Sequence, residues 1–550
     1  MKITDKSTIY ALLLYILFSL VLTYPLISGI STHLGADSGD GWQNVWNLWW
    51  MKKAVTELRT SPFFTAYLHH PLGTDLSLHT LNPFNGLISI PLQYFFNLIT
   101  TYNIIELFSF VMTGLGMFLL VRHLTKNRPV SFVSGLLFTF SPYHFAHADG
   151  HLHLVAMEWI PFYVLYFIKI FDEPRLKNSV LAALFLVLNG LCTAYYALYC
   201  IIFSLVHIAW KALSERKIAV SALKHLLICF SIFSLLFSPV LIAMLRAGAS
   251  PIKGSHDPVA FSADLESFVI PSKYLVMGKF FSSVTSRFTG DPHENANFMG
   301  WIVTLLVLFL FIKERTKETL FWFLSAFLFF LFSLGPHPHI GGRVFDTIPL
   351  PYLILDRTVP LFSASGFPSR FIAMLNLCIL VLAAYSLDLI TRKTKIRPIL
   401  FAILSAVLLF EYLDFPFTTY AYPVLSFYRR IAEDRGSYAL MDLTGGACNL
   451  YYQTIHQKPI VGGYTSRISD DRIAFLENTP VINALYYDMK LIVPEGIDAP
   501  AIARDILEKY NVRYVIIDAR DFARKEMLRD QFRLPVVFNG EGIEVYEAFR

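Results

Sequence analysis

Long apolar runs recur along most of this chain and restrict its fold more than any other feature of the sequence. A run of roughly 20 apolar residues can cross the hydrocarbon core of a bilayer as a helix. A β-barrel would instead need short segments of alternating polarity, which the sequence lacks. The runs lie at about Ile9–Ile27 and near residues 101–121, 130–140, 154–170, 179–193, 195–210, 226–245, 301–312, 319–334, 371–390 and 399–413. The sequence therefore predicts a polytopic α-helical membrane protein with about eleven transmembrane helices.

The composition excludes several other classes of protein. Hydrophobic residues make up 55% of the chain and charged residues only 16%, which is too apolar for a soluble domain. Basic residues are scattered through short loops, so nucleic-acid binding is not expected. Four of the five cysteines lie in apolar runs and Cys448 stands apart, so no disulfide framework is predicted. The first run is too long for a signal peptide and is interpreted as a membrane helix.

The connections between the runs predict how the chain is oriented. Nearly every other connection is short and basic, as in Arg122–Arg128 and Arg392–Arg397, and such loops stay in the cytoplasm. This pattern places the N-terminus inside. Residues 1–413 then form a transmembrane domain whose large loops lie outside, and localisation in the cytoplasmic (inner) membrane is expected. The outer loops are 31–100, 141–153, 247–300 and 335–370.

Residues 414–550 are predicted to form an extracytoplasmic mixed α/β domain. Tyr438–Leu443, Val512–Asp518, Leu534–Phe538 and Ile543–Ala548 are typical of strands, and Ala499–Tyr510 of an amphipathic helix. No glycine-rich nucleotide-binding motif occurs in the chain. This domain either recognises a substrate or covers the site.

The first outer loop contains two carboxylates, Asp37 and Asp40, directly before an aromatic segment. Trp42, Trp46, Trp49 and Trp50 share one helical face, and Trp42 is also a candidate substrate contact. Because tryptophan prefers the headgroup layer, this helix is expected to lie flat on the membrane surface. Asp40 either caps the helix or accepts a proton from a substrate hydroxyl.

A histidine-rich loop is the second candidate region. It contains His144, His147, Asp149, His151 and His153, and Glu158 follows in the next apolar run. These side chains either contact a phosphate or sugar, bind a divalent metal such as Zn or Mn, or pack at the interface. If a metal binds, His147, His151 and Asp149 are the candidate ligands, although no HExxH motif is present. Glu158 is expected to be functional or paired, because a carboxylate within a bilayer is unfavourable.

Cationic residues of the later outer loops are candidate phosphate ligands. Lys273, Arg343, Arg357 and Arg370 belong to this group. Arginine matches phosphate oxygens bidentately. Arg370 could instead extend towards lipid headgroups, and Arg357 could pair with Asp356.

The sequence resembles the GT-C membrane glycosyltransferases, and more closely uncharacterised bacterial and archaeal members of the broad YfhO-like type. That fold includes protein O-mannosyltransferases, the aminoarabinose transferase of lipid A and the catalytic subunit of oligosaccharyltransferase. The resemblance covers nearly the whole chain through loose motifs. They are Gly39–Trp50, His70–Leu76, Ser141–His144, Phe261–Pro271, Pro349–Pro351, Pro368–Phe371 and Tyr452–Ile460.

The resemblance implies a function. Such enzymes transfer sugar from a polyprenyl-phosphate donor to a glycan, lipid or protein acceptor with inversion, using a first-loop carboxylate as base. That role corresponds to Asp40 or Asp37 here, with Asp40 favoured, although several relatives have two adjacent acids where this chain has acids three residues apart. A divalent metal is a possible cofactor. The alternatives are a non-catalytic glycolipid-binding or assembly protein and a lipid or solute transporter.

Overall fold

The eleven predicted apolar runs all coincide with helices. The computed structural model describes residues 5–36, 39–215, 220–247, 256–359, 362, 366–394, 398–421, 423–489 and 498–549. The helices of the apolar runs are Lys6–Leu22, Leu98–Thr125, Arg128–Thr139, Trp159–Asp172, Leu176–Cys192, Ala194–Glu215, Val220–Ala247, Trp301–Lys313, Lys317–Ser333, Ile372–Thr394 and Pro398–Glu411.

The lengths of these helices show a multi-pass membrane protein. Within the described residues, five stretches are long and apolar enough to cross a bilayer: Leu98–Thr125, Leu152–Asp172, Ala194–Ser214, Val220–Ala247 and Pro368–Arg392. Four shorter apolar helices accompany them: Lys6–Leu22, Leu176–Cys192, Trp301–Lys313 and Ile399–Glu411. The number of crossings therefore stays a prediction.

Polar side chains determine where several of these helices begin. The carboxylate of Asp5 accepts a hydrogen bond from the Thr8 amide, and Asn97 and Asn127 cap the helices that follow them. Such caps satisfy amides that have no partner within the helix. Asp5 also forms a 3.0 Å ion pair with Arg122, which ties the first helix to the helix Leu98–Thr125.

The segments predicted to be outer loops contain short helices and strands. Their helices are Gly41–Lys52, Pro83–Leu92, Pro142–Ala148, Leu152–Val155, Ser282–Thr285 and Tyr352–Thr358. Single turns of 3-10 helix include Leu265–Phe268, Pro292–Asn295 and Pro368–Phe371. Two antiparallel strand pairs also occur: Phe64–Thr65 with Thr74–Asp75, and His339–Ile340 with Arg343–Val344.

The C-terminal region contains a four-stranded mixed sheet. Its strand order is Ala439–Asp442, Val512–Asp518, Ile543–Glu547, Val536–Gly540; the first pair is parallel and the others are antiparallel. The four predicted strands and the helix Ala499–Lys509 are thereby confirmed. The other helices of this region are Ser426–Glu433, Cys448–His456, Asp470–Asn478, Pro480–Tyr486 and Phe522–Glu526.

The tryptophan face of the helix Gly41–Lys52 is covered by protein, so the prediction that these side chains insert into the headgroup layer was wrong. Its four tryptophans are at most 7% exposed, and they belong to one hydrophobic core with residues of the C-terminal sheet. Trp46 Nε1 donates a 2.7 Å hydrogen bond to Gln453 Oε1. The aromatic face is covered by protein because these side chains find apolar partners in the C-terminal region rather than in lipid.

Candidate functional site

A large cavity lies where the first outer loop, the histidine-rich loop and the C-terminal region meet. We call this the main cavity; it has a volume of about 500 Å³ and includes Asp40, His151, His293, Arg370 and Tyr464 in its wall. Asp149, His153, Glu294 and Arg467 also line it. Polar and charged groups from five separated segments of the chain therefore converge here.

Asp40 lies directly before the helix Gly41–Lys52 but does not cap it, so the capping interpretation was wrong. Its Oδ1 accepts a 2.7 Å hydrogen bond from the hydroxyl of Tyr464, and its Oδ2 lies 3.4 Å from His151 Nε2. Burial alone would raise the pKa of Asp40, but the contacts with His151 and Tyr464 hold this pKa well below its usual range. Asp40 is therefore a carboxylate at neutral pH.

Gly41 lets the start of the helix pack closely against the preceding part of the first outer loop. A Cβ atom at Gly41 would lie 2.6 Å from the Cβ of Ala36, whereas its 3.8 Å distance from the Cα of Gly150 would be an ordinary contact. A larger residue would therefore clash with Ala36. Asp37, the other predicted acid, lies outside the described residues.

The four histidines of the loop have different roles. His151 and His153 line the main cavity, whereas His144 and His147 do not. His144 is fully buried, and its ring nitrogens lie 2.6 Å from the carbonyl oxygen of Thr139 and 2.9 Å from that of Val155. Burial lowers the pKa of His144 to about 4. The predicted ligand role of His144 was therefore wrong, because its ring is used within the fold.

His147 does not line the main cavity but packs against His151, which does. Its Nδ1 lies 3.2 Å from His151 Nδ1, and burial together with the neighbouring His151 holds the pKa of His147 well below its usual range. Among the described residues, no group of three or more histidine, cysteine, aspartate or glutamate side chains is arranged to hold a metal ion. The set His147, Asp149 and His151 accordingly does not form the predicted metal site, since Asp149 is engaged by His293 instead.

His293 was not predicted, although it is central to the site. Its Nε2 lies 3.3 Å from Asp149 Oδ2 and its Nδ1 lies 2.5 Å from Asp291 Oδ1. Burial would lower the pKa of His293, but its hydrogen bonds to Asp149 and Asp291 outweigh burial and raise this pKa to about 9. His293 is therefore an imidazolium at neutral pH, fixed between two carboxylates.

Arg370 lines the main cavity and forms an ion pair with the buried Glu294. Its Nη2 lies 2.7 Å from Glu294 Oε1, and Ser369 donates a 2.6 Å hydrogen bond to the other carboxylate oxygen of Glu294. The Arg370 guanidinium also stacks 3.6 Å from the centroid of the Phe367 ring. Because Arg370 is buried, the alternative in which it extends to lipid headgroups was wrong.

The remaining predicted residues do not line the main cavity. Glu158 is fully buried and accepts a 2.5 Å hydrogen bond from Ser109, so it is paired within the fold. Trp42 packs 4.6 Å from the ring of Tyr451. Lys273 and Arg357 are exposed, and Lys273 lies over the ring of Tyr274. A substrate contact of these four residues therefore has no support from their positions.

The C-terminal loop Tyr464–Arg467 supplies one wall that sequence reasoning missed. His69 and Thr80 of the first outer loop lie within hydrogen-bond distance of Thr465 and Ser466, at 3.2 Å each. Arg467 donates a 3.3 Å hydrogen bond to the carbonyl oxygen of Leu78. The loop contains no recognisable motif, so its contribution depends on this docking. The wall of the main cavity thus combines the carboxyl groups of Asp40, Asp149, Asp291 and Glu294 with the cationic side chains of His293, Arg370 and Arg467.

Solved structures of similar fold include an arabinofuranosyltransferase, an oligosaccharyltransferase and ArnT. Arabinofuranosyltransferase AftD from Mycobacteria matches with a TM-score of 0.62 and 14% identity over 98% of this chain and 40% of AftD. The Archaeoglobus fulgidus oligosaccharyltransferase matches with a TM-score of 0.56 and 13% identity over 94% of this chain and 70% of that protein. This chain spans less than half of AftD.

A third structure matches over its whole length. ArnT from Cupriavidus metallidurans, solved with undecaprenyl phosphate, matches with a TM-score of 0.50 and 10% identity over 98% of both chains. The protein therefore has the GT-C fold, as the sequence resemblance predicted. No curated protein matches the sequence significantly. The family described as "Domain of unknown function (DUF6311)" matches residues 11–414, and the chain belongs to this family.

Proposed function

We propose that this protein transfers a sugar from a polyprenyl-phosphate carrier to an acceptor at the outer face of the cytoplasmic membrane. The observation that carries the proposal is the main cavity, in which the Asp40 carboxylate and a set of cations occupy one space. A glycosyl transfer needs both groups, one for the attacking hydroxyl and one for the leaving phosphate. The relatives of the same fold support this choice of chemistry.

The proposed side of the membrane for the main cavity rests on the positive charge of the short connecting loops. The short basic connections favour an N-terminus inside the cell and place the main cavity and residues 414–550 outside. The extracytoplasmic position of the C-terminal region, like the division of the chain at residue 413, is part of this proposal.

In the proposed reaction, Asp40 accepts the proton of the acceptor hydroxyl. As the acceptor oxygen bonds to the anomeric carbon, the bond from that carbon to the phosphate oxygen breaks and the configuration inverts. The hydroxyl becomes strongly acidic only when this new bond has largely formed, so a weakly basic carboxylate suffices to take its proton. The low pKa of Asp40 therefore suits a late proton transfer.

In the same reaction, the leaving phosphate contacts cationic side chains that line the main cavity. Arg467 is the candidate for direct contact, and the His293 imidazolium adds a fixed positive charge. His293 and Arg370 each contribute less than a full net positive charge, because carboxyl groups pair with both of them. Such preorganised charges stabilise the developing phosphate anion in a partly dry site.

An apolar groove beside the main cavity suits the isoprenoid tail. The groove shares His153, Tyr195 and Arg467 with the main cavity and continues to Val240 and Met244. These last two residues belong to the helix Val220–Ala247, whose most apolar stretch is only 17% buried and faces lipid. A carrier could thus keep its tail in the bilayer while its phosphate enters the main cavity.

The test uses membranes or proteoliposomes that contain the full chain and a radiolabelled polyprenyl-phosphate sugar. We expect Asp40→Asn to reduce transfer at least about a hundredfold, and Asp37→Asn is measured separately. Asp346→Asn, at an exposed aspartate away from the cavity, is the matched control and should leave transfer unchanged. Full transfer by Asp40→Asn would exclude its assigned role. An intact protein that binds the donor but never transfers it would favour the non-catalytic alternative.

A further inference from the structure

A second cavity beside the main cavity is lined by three arginines. We call it the arginine cavity; its volume is about 230 Å³, and Arg246, Arg467 and Arg472 line it together with Ser469 and Thr74. Arg467 lines both cavities, so the two lie on either side of this side chain. Neither the predicted site nor the proposed transfer uses Arg246 or Arg472.

Arg246 lies far along the chain from Arg467 and Arg472, and hydrogen bonds hold the latter two in place. Arg472 Nε donates a 2.9 Å hydrogen bond to the carbonyl oxygen of Gly73, and its Nη1 donates to Ser469 Oγ at 3.0 Å and to Asp471. Arg467 donates to the carbonyl oxygen of Leu78. These contacts orient both guanidinium groups before any ligand binds, which lowers the entropy lost on binding.

Arg246 places the arginine cavity at the edge of the bilayer. It lies in the last turn of the helix Val220–Ala247, and its side chain is exposed. Only 17% of the most apolar stretch of this helix is buried within the protein, so most of its apolar surface is available to lipid. A lipid in the surrounding membrane therefore reaches the arginine cavity without passing through the main cavity.

The balance of charge favours an anion. Asp75 is the single acidic residue among the described residues that line the arginine cavity, and its carboxylate already accepts a 2.7 Å hydrogen bond from the Ser77 amide. His79, which also lines it, is buried, and burial lowers the pKa of His79 to about 3, so it is neutral at physiological pH. The three guanidinium groups, set against Asp75 and the Asp471 carboxylate that pairs with Arg472, leave an excess of positive charge that suits a phosphate.

We infer that the arginine cavity binds the phosphate group of a membrane lipid at a site separate from the site of transfer. The lipid phosphate belongs either to a polyprenyl carrier or to an anionic phospholipid, which share this chemistry. The inference rests on the proposed function only for the polyprenyl carrier. Binding is measured without sugar transfer, so the two ideas succeed or fail separately.

The test is native mass spectrometry of the detergent-purified full chain. Three probes are titrated in turn: undecaprenyl phosphate, phosphatidylglycerol and inorganic phosphate. The variants are Arg246→Gln, Arg246→Lys and Arg472→Gln. Arg315→Gln is the matched control, because Arg315 is also exposed near a helix end, where its guanidinium lies 4.5 Å from the Phe311 ring.

We expect Arg246→Gln to weaken retention of one bound lipid phosphate about tenfold, with Arg246→Lys in between and Arg315→Gln unchanged. The lipid probe whose binding Arg246→Gln weakens identifies the lipid that supplies the phosphate. Asp40→Asn should retain this lipid but lose transfer. Equal lipid retention by Arg246→Gln and Arg315→Gln would overturn the inference. Displacement of the lipid by an equal concentration of inorganic phosphate would overturn the assignment to a lipid.

Discussion

The hydroxyl of Tyr464 donates a 2.7 Å hydrogen bond to the carboxylate of Asp40, across a sequence separation of 424 residues. This contact joins the C-terminal region to the carboxylate at the centre of the main cavity. It also explains why the C-terminal region does more than cover the site, since it lowers the pKa of Asp40 directly.

Removal of this donor should change the pH dependence of transfer. Tyr464→Phe takes away one contact that lowers the pKa of Asp40, so this pKa should rise. Because Asp40 acts as a carboxylate, activity should then be lost at a higher pH on the acidic side, with a rate reduced about threefold to tenfold at neutral pH. The measurement is a pH–rate profile of transfer. Tyr487→Phe, at an exposed tyrosine, is the control, and an unshifted acidic limb in Tyr464→Phe would contradict the assignment.

The charge of His293 should set the alkaline limit. Its pKa is raised from 6.5 to about 9. The charged form is therefore present below about pH 9 and is lost as the pH rises through that value, and the same pairing stabilises the fold fully below about pH 6.5 and less as the pH approaches 9. Transfer should fall above about pH 9 in the native protein.

Variants around His293 test this assignment. Asp291→Asn removes one carboxylate that raises the pKa of His293, so the alkaline limb should move to lower pH. His293→Gln should remove the limb altogether and lower the rate at neutral pH roughly tenfold or more. An alkaline limb that stays in place in Asp291→Asn would show that another group titrates.

The contact between Trp46 and Gln453 should contribute to stability. Trp46→Phe leaves the buried Gln453 Oε1 without its 2.7 Å donor, which we expect to lower the free energy of unfolding by about 1–3 kcal/mol. Thermal unfolding of the detergent-purified protein measures the change. A double-mutant cycle with Gln453→Leu should show coupling between the two residues, and strictly additive effects would exclude a direct contribution of this hydrogen bond.

The buried pair of Arg370 and Glu294 should be sensitive to loss of one partner. Glu294→Gln leaves the Arg370 guanidinium without its carboxylate, which typically costs about 3–5 kcal/mol at a buried site. Thermal unfolding should show this loss, with Glu57→Gln as the control at a half-exposed ion pair. A stability equal to that of the control would mean that the Arg370 charge finds another partner.

Reporter fusions test the proposed orientation. Truncated fusions after Arg216, Ser282 and Asp470 should report the cytoplasm for the first and the outer side for the other two, because short basic loops remain inside. Alkaline phosphatase and a cytoplasmic fluorescent reporter give opposite signals at each point. A cytoplasmic signal at Asp470 would overturn the proposed orientation of the whole chain.

The sequence by itself determined the helices of the apolar runs and the strands of the C-terminal sheet. Each apolar run forms a helix because a bilayer offers no partner to backbone amides and carbonyls, so local composition suffices. Alternating and continuous apolar segments such as Val512–Asp518 likewise identified the strands of the C-terminal sheet. Asp40, His151 and Arg370 could also be selected, since carboxylate, imidazole and guanidinium groups beside membrane helices are unusual.

Only the tertiary structure decided which of these groups share one cavity. His144 satisfies backbone carbonyls while His151 faces Asp40, although both belong to the same loop. His293, Glu294 and Tyr464 come from segments with no signal of their own, and they enter the site through contacts with residues 144, 76 and 424 positions away, respectively. Local periodicity carries no information about such contacts. They depend on how the loops and the C-terminal region pack, which also buries the tryptophan face of Gly41–Lys52 under protein.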